Sequence, residues 1–590
     1  MSAARALWGT DVLPATARRF TLGALSFTLE EGALRHIRHG GTELIRSVSF
    51  PVRDRDWGTL APEITDLAAE EGPDRLVVTF HARFRTGTAR LDVTLRIEAG
   101  LDRLTVSASG RATGAFETNR AGFTVLHPIL GVAGAPVTVT HGDGREEAAR
   151  FPLLIAPWQP FKDIRALRHV AGGLRVTCLL EGDTFEMEDQ RQWGDASFKT
   201  YNRPLALPWP YRLEDGAPLA QSVHLSWAPA PASPPAEPLP PGPAEPRFPE
   251  TALVITAAEA TRAAADPTAL RAIAPQRLLC HLDTAAGQGA AELAAFAALQ
   301  RAWEGAFDLE LIARCPPGGD LGAEFAGYAA AVAEAGFRPA SVMVCPSVDR
   351  QSTPPGSAWP ACPPLADIHR AARAAFPPGM AMGGGMASFF PELNRKPPPV
   401  ALLDFATHGL CPIVHAADDV SVMEGLEAVP YITASARALL GGLPCRLGPS
   451  TIAMRQNPYG SRTMPNPGRA RLCMADDDPR QDGAFAAAWT LGLATALAPA
   501  GLTAWTPAAL YGPRGLIRDD GSLRPLADPI TRLARLAGAP VHGGRIADGL
   551  ARLELGDTLF LANLTPEAQE AEGETLGPYA CRVTEGAEVR

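Results

Sequence analysis

One carboxylate in the second half of this 590-residue chain has the surroundings a general base needs. Glu392 follows a glycine-rich run and then Phe389-Phe390-Pro391. Apolar surface of that kind raises a carboxyl pKa toward the range where it can take a proton from water. His408 is placed to share the proton work or to bind a substrate oxygen. Arg455 with Asn457 is suited to polarise a carbonyl and steady a developing oxyanion. Each has a plainer reading: a surface Glu392 paired with Arg395, a hydrogen-bonded rim histidine, and loop packing beside Pro458. No Glu occurs between positions 444 and 515, and the Asp residues there fall in an expected surface loop, 476–482. A retaining glycosidase needs a second carboxylate ~5–5.5 Å from the first. A lone base with an Arg/Asn partner fits ester hydrolysis better. Ser450 lies in GPSTI, which lacks the final glycine of a nucleophile elbow.

These residues need a scaffold, and the rhythm of residues 251–538 supplies one. Apolar runs at 252–256, 277–283, 308–315, 341–347, 379–386, 401–405, 445–448 and 502–505 alternate with Ala-rich helical runs at 290–306, 323–335, 366–376 and 431–440. Eight such units predict a (β/α)₈ TIM-type barrel with its active site at the C-terminal strand ends. Reading those ends nominates His281 and Asp283, Asp349, Asn394 beside Glu392, His415 after His408, Ser450, and finally Trp505 and Tyr511. Upstream, residues 1–227 read as short alternating strands (20–30, 75–84, 89–98, 103–110, 122–127 and 174–180) separated by Gly, Asp and Pro. They predict a β-sandwich of supersandwich type. The proline-dense segment 228–246 is expected to be an extended linker. It divides the sandwich from a barrel domain at 247–539, and a small C-terminal β domain at 540–590 is expected beside the first domain.

The densest charge cluster is 185–204, FEMEDQRQWGDASFKTYNRP. It crowds Glu186, Glu188, Asp189 and Asp195 with Arg191, Lys199 and Arg203 around Trp193 and Tyr201. Such charges are costly to bury unless paired or used by a ligand; the alternative is a solvated strand edge. This stretch resembles the signature of the D-apionate lactonase family. So do NRAGFTVLHP (119–128), GGGMASFFPELNR (383–395), ATHGLCPIVHAADD (406–419) and GPSTIAMRQNP (448–458), in order along most of the chain. The pattern departs at Gln192 and Gly194, where Asn and Thr are expected. The resemblance implies a hydrolase opening a sugar-acid lactone, D-apionolactone to D-apionate. It also implies that Asp195, Lys199 and Arg203 bind substrate hydroxyls, that Trp193 lies against the ring, and that Arg120 and His127 lie nearby. Two alternatives stay open: a site wholly in the sandwich, with Glu188 as base and His127 as acid, and a glycoside hydrolase or non-catalytic carbohydrate-binding protein on the same barrel.

Composition bounds the rest. A formal charge of −10 and no basic patch argue against a nucleic-acid partner. No run of 18 apolar residues suggests a membrane span, and the N-terminus lacks a signal-peptide core. A cytoplasmic enzyme acting on a small-molecule lactone is expected. The nine cysteines lack CxxC or finger spacing, and the twelve histidines include no HExxH. Neither cofactor nor metal is expected, and Cys280, Cys315, Cys345 and Cys411 read as reduced core residues. Oligomeric state is not legible.

Overall fold

A computed structural model describes residues 2–55, 57–231, 236–459 and 462–586. The chain resolves into two compact units, residues 14–191 with 196–239, and residues 1–13 and 192–195 with 240–590.

The first unit is all-β and built on a large antiparallel sheet. Its regular part is a meander of Leu76–Thr86, Ala89–Ala99 and Arg103–Thr113. Along Ala89–Ala99 every second residue is buried, the period-2 pattern that one covered sheet face imposes. The run expected as one strand at 20–30 is two, Arg18–Leu22 and Leu25–Glu30. Gly23 turns the chain back at φ +59°, a conformation an L side chain resists, and Phe20 then stacks on Phe27. The charge-dense stretch forms Phe185–Glu188 paired with Phe198–Asn202, setting Glu186 opposite Tyr201 and Glu188 opposite Lys199. It is not a solvated edge. Asp189 and Arg191 are fully buried and ion-paired at 2.7 Å, with the Ala156 N–H on the carboxylate and the Pro152 and Leu153 carbonyls on the guanidinium. Complete satisfaction of this kind is what lets a charge pair sit inside a fold.

The expected linker starts later than its proline content suggests. Strand Pro218–Pro229 continues through Ala228 and Pro229, paired with Leu174–Glu181. Residues 232–235 of the segment lie outside the described residues, and 236–246 contains no helix or strand.

In the second unit eight parallel strands close into a barrel. They are β1 (Glu250–Ile255), β2 (Arg277–Asp283), β3 (Ala306–Ala313), β4 (Ser341–Pro346), β5 (Ala381–Phe389), β6 (Phe405–Leu410), β7 (Cys445–Ser450) and β8 (Ala504–Ala509). Two differ materially from expectation. Residues 401 and 402, expected to begin the sixth strand, lie in the 3₁₀ turn Val400–Leu402, and β6 runs on to Leu410. The eighth strand begins at Ala504 rather than 502 and ends at Ala509. At the N-terminal end of the barrel Asp308 is held by Arg277 at 3.1 Å, Arg446 at 3.2 Å and the Ser341 hydroxyl at 2.6 Å. That network closes the face which in this fold serves stability.

Glycines in β5 permit close packing. A Cβ at Gly383 would run into the Phe405 ring of β6, itself covered by Arg446 at 3.7 Å. Gly383→Ala is therefore expected to destabilise the chain by ~1–3 kcal/mol through overpacking. Thermal unfolding reads this directly, and an unchanged midpoint would show that Phe405 can move aside.

The helix Ala484–Leu497 is buried nearly all round. Strands Val541–Ala547, Leu550–Leu555 and Thr558–Asn563 of the C-terminal sheet pack on it, and Cys581–Glu585 completes that sheet. The sheet thus belongs to the barrel unit, because the apolar face it must bury is offered by that helix. No helix among the described residues is long and apolar enough to cross a membrane.

Candidate active site

A cavity of about 310 Å³ opens at the C-terminal strand ends, walled by His281 and Asp283 of β2, Arg350, Arg455, Gln456, Tyr511 and Arg514. Its organising feature is a three-residue chain. Glu310, pointing inward from β3, accepts a hydrogen bond from His281 Nδ1 at 2.7 Å. The same carboxylate accepts two from Arg455, at 2.7 and 3.2 Å, and Arg455 also donates to the Ala387 carbonyl. Glu310 is 1% exposed. Burial alone would raise its pKa, but Arg455 and His281 overcome this and hold it down at about 2. The carboxylate stays ionised and fixes the imidazole with Nδ1 as donor. His281 Nε2 then has no partner among the described residues, and the half-buried ring lines the cavity. A histidine oriented by a carboxylate, with its second nitrogen free, is an arrangement that takes and returns a proton.

Further cations surround it. Arg350 pairs with Asp283, and the Gln456 amide donates to the Arg350 carbonyl. Arg514 donates to the carbonyls of Met454 and Asp476, its pKa lowered first by burial and then by Arg455 nearby. Among the described residues no group of three His, Cys, Asp or Glu side chains is arranged to hold a metal ion.

The residues nominated from the sequence fall in several places. Glu392 is 1% exposed and sits at the third position of the short helix Phe390–Arg395. There its Oε2 accepts the Phe389 N–H at 2.9 Å, while Oε1 has no hydrogen-bond partner of good geometry among the described residues. Burial raises its pKa, with the nearby Ser352 hydroxyl and then the Arg395 charge opposing. It is not among the residues lining the cavity. Neither is His408, which lies inside β6 rather than after it because that strand runs on to Leu410. Its Nδ1 meets the Gly409 carbonyl at 3.0 Å, its ring packs on Phe390, and burial pushes its pKa to about 4. Trp505 is likewise inside its strand, buried, with Nε1 donating to Ser450 Oγ at 2.8 Å. That bond and the Thr506 carbonyl occupy Ser450, which is fully buried. The Asn457 amide reaches the Tyr459 N–H and the Arg462 carbonyl in its own loop. Asn394 is half-buried in the Phe390–Arg395 helix, and Asp349 is bound by Lys396 at 2.8 Å.

Residues 192–195 belong to the barrel unit. Asp195 accepts from His415 Nδ1 at 2.7 Å, and Trp193 meets the His415 ring edge-on and the Tyr459 ring at 5.4 Å. Arg395 lies 5.8 Å from the Trp193 ring. Arg120, His127, Glu188, Lys199 and Arg203 lie in the all-β unit. Lys199 pairs with Glu188 at 2.6 Å, and Arg203 covers the Tyr211 ring. His127 is fully buried against Thr200, and burial with His169 beside it pushes its pKa to about 3. The ring is therefore neutral rather than an imidazolium near pH 7, which argues against the sandwich-only acid–base pair.

Four buried histidines, His127 with its pKa at about 3 and His169, His369 and His408 at about 4, give a pH prediction. Each binds a proton more readily unfolded, near 6.5, than folded. Their stabilising contribution is therefore complete above pH 6.5 and is lost as pH falls toward 4. Urea midpoints at pH 7, 6 and 5 should fall in that order. A flat series would mean these rings titrate normally.

Glu310, Arg350 and Gln456 were not singled out from the sequence. Glu310 had a signal: it is a carboxylate set between Leu309 and Leu311 in FDLELIA, and an inward position on a barrel strand requires a partner for such a charge.

An all-β domain and a closed eight-strand parallel barrel, with an oriented histidine and several arginines in a cavity at the strand ends, define a barrel enzyme acting on a small polar substrate. Residues 251–538 match the family described as D-apionate lactonase, TIM barrel domain, and residues 5–230 match D-apionate lactonase, N-terminal domain. A curated D-apionate lactonase from Brucella anthropi is 47% identical, covering 97% of this chain and 98% of that protein. The chain belongs to the D-apionate lactonase family and is a lactonase. Among solved structures, an α-galactosidase from Geobacillus stearothermophilus aligns at 10% identity and TM-score 0.28 over 93% of this chain and 91% of its own. A putative aldose 1-epimerase from Escherichia coli K12 aligns at 12% identity and TM-score 0.26, covering 36% of this chain and 99% of its own.

Proposed function

We propose that the substrate is D-apionolactone, opened to D-apionate in cytoplasmic carbohydrate catabolism, and that the chemistry runs in the barrel cavity. The observation that carries this reading is the Glu310–His281 pair with a free Nε2 facing a cavity lined by Arg455 and Arg350. Water attacks the lactone carbonyl carbon as His281 Nε2 takes its proton. The tetrahedral oxyanion forms among guanidinium groups, where a low-dielectric pocket makes such charges most effective. Collapse breaks the bond to the ring oxygen, which leaves as a hydroxyl carrying the proton held on Nε2. Glu310 stays charged throughout and steadies the imidazolium. The identity with the Brucella anthropi lactonase along nearly the whole chain supports the choice of lactone.

Acid release from D-apionolactone, followed with a pH indicator before and after chelation, tests this. Rapid, chelator-insensitive release is expected. Release of nitrophenol from aryl glycosides with no lactone opening would replace it with the glycosidase reading.

A second assignment keeps Glu392 as the base, favoured by its burial and by the raised pKa that burial gives it. Glu392→Gln separates the two. With His281 as base, turnover stays within a few-fold of wild type; with Glu392 as base it falls by at least ~10²-fold.

A further inference from the structure

The all-β unit contains a buried arginine that makes no direct ion pair among the described residues. Arg120 is 7% exposed, and among the described residues its guanidinium has no ion-pair or hydrogen-bond partner; its Nε is a buried donor left unmade. The neighbouring carboxylates, Glu188 and Glu186, attract Arg120 electrostatically, while the ion pair of Glu188 and the hydrogen bonds of Glu186 go to other groups. Glu186 accepts the Tyr201 hydroxyl at 2.7 Å and the Leu205 N–H at 2.9 Å, and Glu188 pairs with Lys199 at 2.6 Å. The guanidinium instead lies 4.0 Å from the Tyr201 ring centroid and 5.5 Å from that of Trp57. Trp57 in turn meets the partly exposed Trp209, ring centroids 5.2 Å apart. Ring faces favour a cation but do not replace its lost hydration, so a buried guanidinium with an unmade N–H donor and no direct ion pair is costly to maintain. A carboxylate fits the fork of its N–H groups with two parallel hydrogen bonds. The aromatic pair beside it offers a face for the C–H side of a polyol, and the Glu188–Lys199 pair offers both an acceptor and a donor for hydroxyls.

We propose that this cluster is a binding site for a sugar acid, with the carboxylate on Arg120 and the carbon chain against Trp57. The choice of sugar acid rests on the lactonase reading, since that reaction produces one. Calorimetric titration of sodium D-apionate into the full chain tests it, alongside Arg120→Met, Arg120→Lys and Trp57→Ala. Arg120→Met should weaken binding by at least ~10-fold, as expected for loss of a charge-assisted pair, with partial recovery in Arg120→Lys. Trp57→Ala, which leaves the cation in place, should weaken it as well and carries the test if Arg120→Met does not fold. Isotherms unchanged in the folded variants overturn the proposal. Acetate binding as tightly as D-apionate overturns the sugar-acid assignment. Turnover of D-apionolactone by the same wild-type preparation keeps the two readings apart. Turnover with unchanged variant isotherms removes the binding site alone, and absence of turnover removes the substrate reading.

Discussion

Replacement of His281 by Asn is expected to lower kcat/KM for lactone opening by ~10²–10⁴-fold, the span that positioned general bases contribute. The substitution is chosen for its geometry. An Asn amide can donate to Glu310 from about where Nδ1 does, so the carboxylate and Arg455 keep their partners and the fold should stay intact. What is lost is Nε2, the atom proposed to take the proton from water and return it to the ring oxygen. Initial rates by pH indicator, with a melting curve to show an unchanged fold, make the comparison. A folded variant with near-normal rate would remove His281 from the proton path and return the role to Glu392.

Glu310→Gln should affect both activity and stability. The carboxylate is the shared partner of His281 and Arg455, and it is fully buried. Gln keeps the shape but removes the charge, leaving a guanidinium in the barrel without its counter-ion. Breaking a buried pair in this way costs about 3–5 kcal/mol. Turnover should fall by ~10²-fold or more, because the imidazolium formed during the reaction loses its stabilising charge. The acid limb of stability should change too. The folded pKa of Glu310, about 2, lies below its unfolded value near 4.5. Its contribution is therefore complete above pH 4.5 and is lost as pH falls toward 2. The variant should lack that part of the acid-side loss. Denaturant titrations at pH 7 and pH 3 measure both effects, and a variant as stable as wild type at pH 7 would show that Arg455 finds another partner.

Where the sequence was read well, local periodicity carried the information. β2 was expected at its observed bounds, and the helix Val429–Leu440 was expected within two residues. The sixth and eighth strands were read short because 405–410 and 504–509 are Ala-, Thr-, Gly- and Pro-containing segments. They carry little of the β-branched bulk by which strands are recognised. A shift of a few residues then changed function-level expectations. It moved His408 and Trp505 from the rim, where a residue can touch substrate, into the barrel wall, where it packs. Glu392 was read as a base from its apolar neighbours. The same Phe389-Phe390-Pro391 segment begins a short helix whose end needs a carboxylate to accept a free backbone N–H, a role that spacing three residues on also fits.

The chain alone determined its element types, its division into an all-β part and a barrel, and its family. Those properties follow from residue-to-residue periodicity and from long ordered motifs, both of which are written along one dimension. Only the tertiary structure decided which charges are partners. Glu310, His281 and Arg455 are far apart in sequence and meet only because barrel closure points β2, β3 and the loop after β7 at one cavity. Likewise Asp189 and Arg191 are buried together while Arg120 makes no ion pair among the described residues, because burial and distance, not composition, set the free energy of a charge.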